Sequence, residues 1–221
     1  DEREVKPRSL SKPDGFKIAV KKCVEAIKNK PISKNLGKLG TAVWINSCNE
    51  TGQLPTLNHH YGAWDKIECI NAEALLKVLS ERKGKSGHAC SRGCFIRCSN
   101  SFIGPNGTHI TSGLEYETLA LFGANLGIDD LDTIARLDRT CDELGIDTIE
   151  MGNTIGALNE VGVFEFGNKI KAIKLLKEVE KATPLGKIIG SCYNRFTITR
   201  QGLVSSQICL NSSSGRKPIF S

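Results

Sequence analysis

The stretch Asp129-Asp-Leu-Asp-Thr-Ile-Ala-Arg-Leu-Asp-Arg-Thr-Cys-Asp-Glu-Leu-Gly145 reads as one amphipathic helix. Its paired aspartates suit a helix start, Leu131, Ile134, Leu137 and Cys141 recur at spacings of three and four, and Gly145 stops it. The same grammar recurs on both sides. Asn71 can cap a helix running to about Arg82, with Leu75, Leu76, Val78 and Leu79 on its buried side. Helical stretches also follow at about 148–159 and 168–181, the second with Ile170, Ile173, Leu176 and Val179 spaced for burial.

Towards the amino terminus, Asp14 is a cap candidate for a helix carrying Phe16, Val20, Cys23, Val24 and Ile27 on one face. Pro31 is expected to end it and to open a loop rich in Lys, Asn and Gly. Residues 41–50 suit either a short helix or a buried strand, and Pro105-Asn-Gly107 suits a turn. The expected fold is therefore mainly α, a helical domain with a few short strands. Residues 1–13 read as a polar lead-in, 14–190 as the domain, and 191–221, rich in Ser, Arg, Asn and Gln, as a divergent and poorly ordered tail.

Within His88-Ala-Cys-Ser-Arg-Gly-Cys-Phe-Ile-Arg-Cys-Ser-Asn100, three thiols fall at positions 90, 94 and 98. Soft thiolates bind iron-sulfur clusters or zinc, and Ala89, Ser91 and Gly93 let the backbone curl so that several sulfurs can face one point. Cysteines also serve as small buried hydrophobes, and the spacing would align these three along one helical stripe. Gly93 with Ser91 and the lack of an apolar period argue against a helix here. Cys90, Cys94 and Cys98 are thus candidate metal ligands, with a fourth ligand to come from elsewhere.

Composition narrows the classes further. The chain has 221 residues, 39% of them apolar, which suffices for one sizeable core or two small ones. No stretch approaches the ~20 apolar residues that span a bilayer, so no membrane partner is expected. Nine cysteines at irregular spacing do not form a secreted disulfide framework, and a reducing cytoplasm is expected. The net charge of +6 is spread over Lys-rich helical segments without interleaved aromatics, which gives nucleic-acid binding little support. The only methionine is Met151 and the chain opens on Asp1, as expected for an excerpt of something longer or a chain that has lost an upstream segment.

Read in order, a set of segments resembles the tungsten-containing aldehyde ferredoxin oxidoreductase family. Gly40-Thr-Ala-Val43 and Gly52-Gln-Leu-Pro-Thr-Leu-Asn58 look like its stretches ahead of the cluster cysteines. Gly113-Leu-Glu-Tyr-Glu-Thr118 resembles its GPEYE signature, with Leu114 in place of proline. Phe122-Gly-Ala-Asn-Leu-Gly-Ile-Asp-Asp-Leu131, Cys141-Asp-Glu-Leu-Gly-Ile-Asp-Thr-Ile149 and Gly152-Asn-Thr-Ile155 continue the likeness, which covers about residues 14–190.

The resemblance implies the fold of the family's second domain. It also implies oxidation of small aldehydes to carboxylic acids at a tungsten or molybdenum bispterin, with electrons passing through a [4Fe-4S] cluster to ferredoxin. Carried over residue by residue, it makes Asp142, Ile146 and Asp147 contacts of one pterin, because Asp142-Glu-Leu-Gly-Ile-Asp147 looks like the family's DxxGL(D/C) loop. It makes Glu117 a candidate to orient or activate water or substrate. Cys90, Cys94 and Cys98 would hold the cluster, and ferredoxin, complementary enzyme segments or a second copy of the chain would be partners. Taken without the family, Asp142 and Asp147 would be surface carboxylates at a helix end, and Glu117 a partly exposed helix-start residue.

The pattern departs from the family at the first thiol. Three residues separate Cys90 from Cys94 where the family has two, and Ser91 stands at the expected position, while Cys94 and Cys98 keep the family spacing. The family's other domains, which supply the rest of the bispterin site and the fourth cluster cysteine, have no counterpart. The likeness breaks off after Thr183-Pro-Leu-Gly-Lys-Ile-Ile-Gly190, which suggests a frameshifted or otherwise altered end. Two other readings stand beside an enzyme fragment: a stand-alone thiol-ligated metal or electron-transfer module that also uses Cys192 or Cys209, and a remnant without cofactor. His59, His60, His88 and His109 are read as locally hydrogen-bonded.

Overall fold

Asp130, Asn71 and Asn168 each cap a helix in the way their side chains allow. The computed structural model describes residues 10–191 and the backbone of two strands, Phe196–Thr199 and Gly202–Ser205. The expected poorly ordered tail otherwise lies outside the described residues, as do most of the lead-in and both Cys192 and Cys209.

In chain order the helices are α1 (Pro13–Lys28), α2 (Pro31–Leu39), α3 (Trp44–Glu50), α4 (Ala72–Glu81), α5 (Tyr116–Phe122), α6 (Leu131–Leu144), α7 (Thr148–Ala157), α8 (Lys169–Glu180) and α9 (Pro184–Gly190). The strands are β1 (Lys85–His88), β2 (Ser99–Ile103), β3 (His109–Ser112), β4 (Phe196–Thr199) and β5 (Gly202–Ser205). β1, β2 and β3 form an antiparallel sheet in that order, and β4 pairs antiparallel with β5. The fold is mainly α with a small sheet, as its sequence patterning requires.

The caps explain the helix starts. Asn71 accepts from the Ala74 amide, Asp130 from Thr133, Asp147 from Glu150, Asn168 from Lys171 and Thr183 from Gly186, each satisfying a donor left unpaired in a first turn. Gly145 closes α6 in the left-handed region at φ 66°, where a Cβ would be strained. Leu131, Ile134, Leu137 and Cys141 are all buried, so α6 runs through the core beside Ile70, Leu75, Phe102, Leu119 and Phe122. Arg82 meets Asp132 with both terminal guanidinium nitrogens, at 2.5 and 3.0 Å, and thereby ties the end of α4 to the start of α6.

Four expectations at the helix level are corrected. Pro31 starts a helix instead of a loop: proline fits the first helical position, and Leu39 at the helix end packs against the core. The first helix is capped by Lys12, with Asp14 already inside its first turn. Its apolar face does not enter the core, for Phe16, Val20 and Ile27 stay 53%, 42% and 37% exposed, with no layer among the described residues to cover them. Ile170 is 68% exposed; α8 buries Ala172, Leu175 and Leu176 instead. Of the two options for residues 41–50, the helix is realised, led in by a 3-10 turn at Thr41–Val43.

Candidate functional site

The Asn100 side chain sets the site's frame. Buried on β2, it donates to the Leu114 carbonyl at 3.0 Å and accepts from the Leu114 amide at 3.2 Å, while the Asn100 backbone carbonyl accepts from the Gly113 amide. These bonds pin the segment leading from β3 into α5. Leu114 can donate here because it is not proline, so the departure from the GPEYE pattern gains a hydrogen bond that proline could not make. Glu115 then accepts from the Thr41 hydroxyl at 2.6 Å, and the same hydroxyl accepts from the Tyr116 amide at 2.7 Å. Burial, with the Cys48 thiol beside it, pushes the Tyr116 phenol well above its usual range.

Glu117, second residue of α5, stands exposed where two cavities meet. One, of about 360 Å³, is lined by Glu115, Glu117, Asp138, Asp142, Ile146 and Asp147, among others. The structure thus brings Glu117 together with the three residues of the expected pterin loop. Asp142 and Asp147 are exposed and Ile146 half-buried. Asp147 spends one oxygen on the Glu150 amide at 2.9 Å as the cap of α7. The donor chemistry of this cavity fits a pterin ring: carboxylate acceptors for ring N–H groups, beside one apolar side chain.

The other cavity, of about 590 Å³, is lined by Thr41, His88, Cys90, Cys98, Glu115 and Glu117, with Ser99, Ser112 and Gly113 completing its wall. Ser112, Gly113, Glu115 and Glu117 therefore form a wall common to both cavities. Cys94 does not line this space. The backbone amides of Arg97 and Ile96 hydrogen-bond its sulfur and hold the thiol below its usual range. Burial, and next the Glu115 charge, push the Cys98 thiol up.

The segment between β1 and β2 is not helical. It curls through left-handed backbone at Gly93 and Arg97, and the Arg97 side chain is tied to the Gly87 carbonyl at 2.8 Å. Among the described residues no three His, Cys, Asp or Glu side chains converge as a metal set, so the ligand set Cys90, Cys94 and Cys98 is not preassembled.

The histidines behave as local partners: His59 pairs with Asn153 at 2.8 Å, His60 with Glu160 at 3.0 Å and His109 with Ser112 at 2.9 Å, while His88 lines the thiol-side cavity. Sequence reasoning missed Glu115, Thr41 and Asp138. A signal for Asp138 was available, because it interrupts the buried stripe between Leu137 and Cys141 with a carboxyl group.

The family model for aldehyde ferredoxin oxidoreductase, domains 2 and 3, matches residues 18–204. The chain belongs to the aldehyde ferredoxin oxidoreductase family. It is 35% identical over 147 residues to the tungsten-containing aldehyde ferredoxin oxidoreductase of Thermococcus kodakarensis, covering 66% of this chain and 23% of that protein. The figures for the enzyme of the same name from Pyrococcus furiosus are 35% over 147 residues, with the same coverage of 66% and 23%. To the aliphatic sulfonate oxidoreductase, WOR-like subunit, of Pyrococcus furiosus it is 33% identical over 141 residues, covering 57% of this chain and 23% of that one. This aldehyde ferredoxin oxidoreductase family chain thus spans about a quarter of the length of the relatives it matches, 23% in each case. None of its described helices is long and apolar enough to cross a membrane.

Proposed function

We propose that this chain is the cluster-proximal, pterin-contacting part of an oxidoreductase that converts small aldehydes to carboxylic acids and passes electrons to ferredoxin. One observation carries the reading: Glu117 shares one cavity with Asp142, Ile146 and Asp147, and the adjoining cavity with Cys90 and Cys98. When bound, a tungsten or molybdenum bispterin supplies the two-electron oxidation of the aldehyde carbon.

The chain's own residues hold and orient. Asp142 and Asp147 would accept hydrogen bonds from ring N–H groups of one pterin, and Ile146 would offer it an apolar contact. Glu117, exposed and open to both cavities, orients water or substrate and takes up the proton that water loses as it attacks. Cys90, Cys94 and Cys98 would supply the thiolate ligands of a [4Fe-4S] cluster, which passes the electrons on. Complementary enzyme segments or a second copy of the chain supply the remaining walls, which are needed to exclude water.

The reading is tested by titrating the anaerobically prepared chain with metal-pterin cofactor released from a donor tungsten enzyme and following pterin fluorescence. Replacement of both carboxylates, Asp142→Asn with Asp147→Asn, is expected to weaken binding about tenfold or more, equivalent to at least one lost charge-assisted hydrogen bond. Equal binding by the double variant overturns the assignment.

A further inference from the structure

Asp138 is a buried carboxyl group that none of the roles above uses. It lies on the core side of α6, 4% exposed, and borders the cavity that holds Glu117, Asp142, Ile146 and Asp147. The Thr111 hydroxyl of β3 donates to its Oδ2 at 2.5 Å, and the Thr118 hydroxyl of α5 donates to its Oδ1 at 3.4 Å. Thr118 is also within 3.0 Å of the hydroxyl of Thr148, the first residue of α7. One carboxyl group therefore joins β3 and α5 directly and reaches α7 through Thr118. Glu117 precedes Thr118 in the chain, and Asp147 precedes Thr148. Two of the cavity-lining carboxylates, Glu117 and Asp147, are thus one peptide bond from a member of the network.

We propose that Asp138 is a positioning residue of the pterin-side cavity, holding Glu117 and the loop from Asp142 to Asp147 at a fixed separation through Thr118 and Thr148. The inference rests on the pterin reading of that cavity for its catalytic meaning, while the mechanical link stands on the hydrogen bonds alone. A carboxyl group is a costly way to join hydroxyls in a core, and its ionisation makes the link responsive. Every other ionisable group lining this cavity is acidic: Glu115 ahead of α5, Glu117 on α5, Asp142 on α6 and Asp147 at the cap of α7. His109 on β3 is exposed and bonded to Ser112. No Lys, Arg or His forms an ion pair with Asp138 among the described residues. Burial, with Asp142 and Glu115 as like charges, pushes its carboxyl up to about 6.

Filling or emptying this carboxyl group of its proton changes which hydroxyls can donate to it. The change is transmitted through Thr118 to Thr148, and so to the two residues beside them. Asparagine at this position keeps an acceptor and gains a donor, so it preserves both contacts after hydroxyl rotation but cannot titrate.

The test is amide NMR of the full chain between pH 4.5 and 7.5, for the wild type, Asp138→Asn and Asp138→Leu. In the wild type, the amides of Thr111, Glu117, Thr118, Asp147 and Thr148 are expected to shift together with one midpoint near 6. In Asp138→Asn that common titration is lost while the shifts stay close to one wild-type limit. Asp138→Leu, if it folds, moves Glu117 and Thr148 away from both limits. Independent midpoints at Glu117 and Thr148, or a common titration that survives Asp138→Asn, overturn the proposal. Repeating the cofactor titration across the same pH range separates the two readings. A chain that shows the common titration but binds no pterin contradicts the pterin assignment and leaves the mechanical link standing.

Discussion

The Thr41 hydroxyl donates to a Glu115 carboxylate oxygen at 2.6 Å, joining residues 74 positions apart. Because that hydroxyl also accepts from the Tyr116 amide at 2.7 Å, it fixes the start of α5 at the lining of the thiol-side cavity. Thr41→Val keeps the shape and removes both bonds, leaving a half-buried carboxylate oxygen and an amide without this partner. The expected loss is about 1–3 kcal/mol in urea unfolding. An unchanged unfolding midpoint would show that water replaces the hydroxyl freely.

Asp138 makes stability depend on pH in a stated direction. Burial raises its folded value to about 6 from the ordinary 3.8, so the folded chain binds the extra proton between these values. Stability is therefore greatest below the unfolded value and falls as pH rises through the folded one. Asp138→Asn should remove this fall, on the order of 3 kcal/mol, so that the variant gains relative to wild type at pH 8 compared with pH 4. Thermal melts at both pH values check it, and parallel pH profiles would contradict it.

The thiols differ in reactivity. Amide hydrogen bonds from Arg97 and Ile96 lower the Cys94 thiol, whereas burial raises Cys98. Under limiting iodoacetamide at pH 7, Cys94 is expected to be alkylated several-fold faster than Cys98, since the thiolate is the reacting form. Peptide mass spectrometry reads the ratio, and faster labelling at Cys98 would refute it.

Gly37 on α2 supports that thiol segment by close approach. A Cβ built there would stand 2.8 Å from the Ile96 carbonyl oxygen, closer than side chains tolerate. Gly37→Ala gains helix propensity of about 1 kcal/mol but has to push the Ile96 peptide away. The Cys94 labelling rate should then fall, because the amide donors move off its sulfur. An unaltered rate with higher stability would mean that α2 shifts instead.

The helices were legible where apolar spacing and a capping side chain coincide, as in α4, α6 and α8. α2 was not, because Pro31 and Gly37 read as breakers, although proline suits a first turn and Gly37 is demanded by the Ile96 carbonyl. The sheet was legible only as a few short strands. β1 is Lys-Ser-Gly-His, with neither alternation nor β-branched residues, and is set by pairing with β2. In the site, family likeness drew attention to Glu117, Asp142, Ile146 and Asp147, which face one cavity. Asp138 was legible only as a carboxyl group in the buried stripe of α6, and its partners, like the pairing of Thr41 with Glu115, emerge from contacts between distant segments that no local pattern encodes.

The most direct test of the central claim, that a thiol side and a pterin side share the Glu115–Glu117 wall, is iron and acid-labile sulfide analysis of the anaerobically reconstituted chain. Cys98→Ser and Glu117→Gln serve as comparisons. The account predicts about four iron and four sulfide per wild-type chain, with charge-transfer absorption typical of thiolate-bound clusters. It also predicts loss in Cys98→Ser and full loading in Glu117→Gln. Iron content near zero in the wild type, or equal loading in Cys98→Ser, would contradict it.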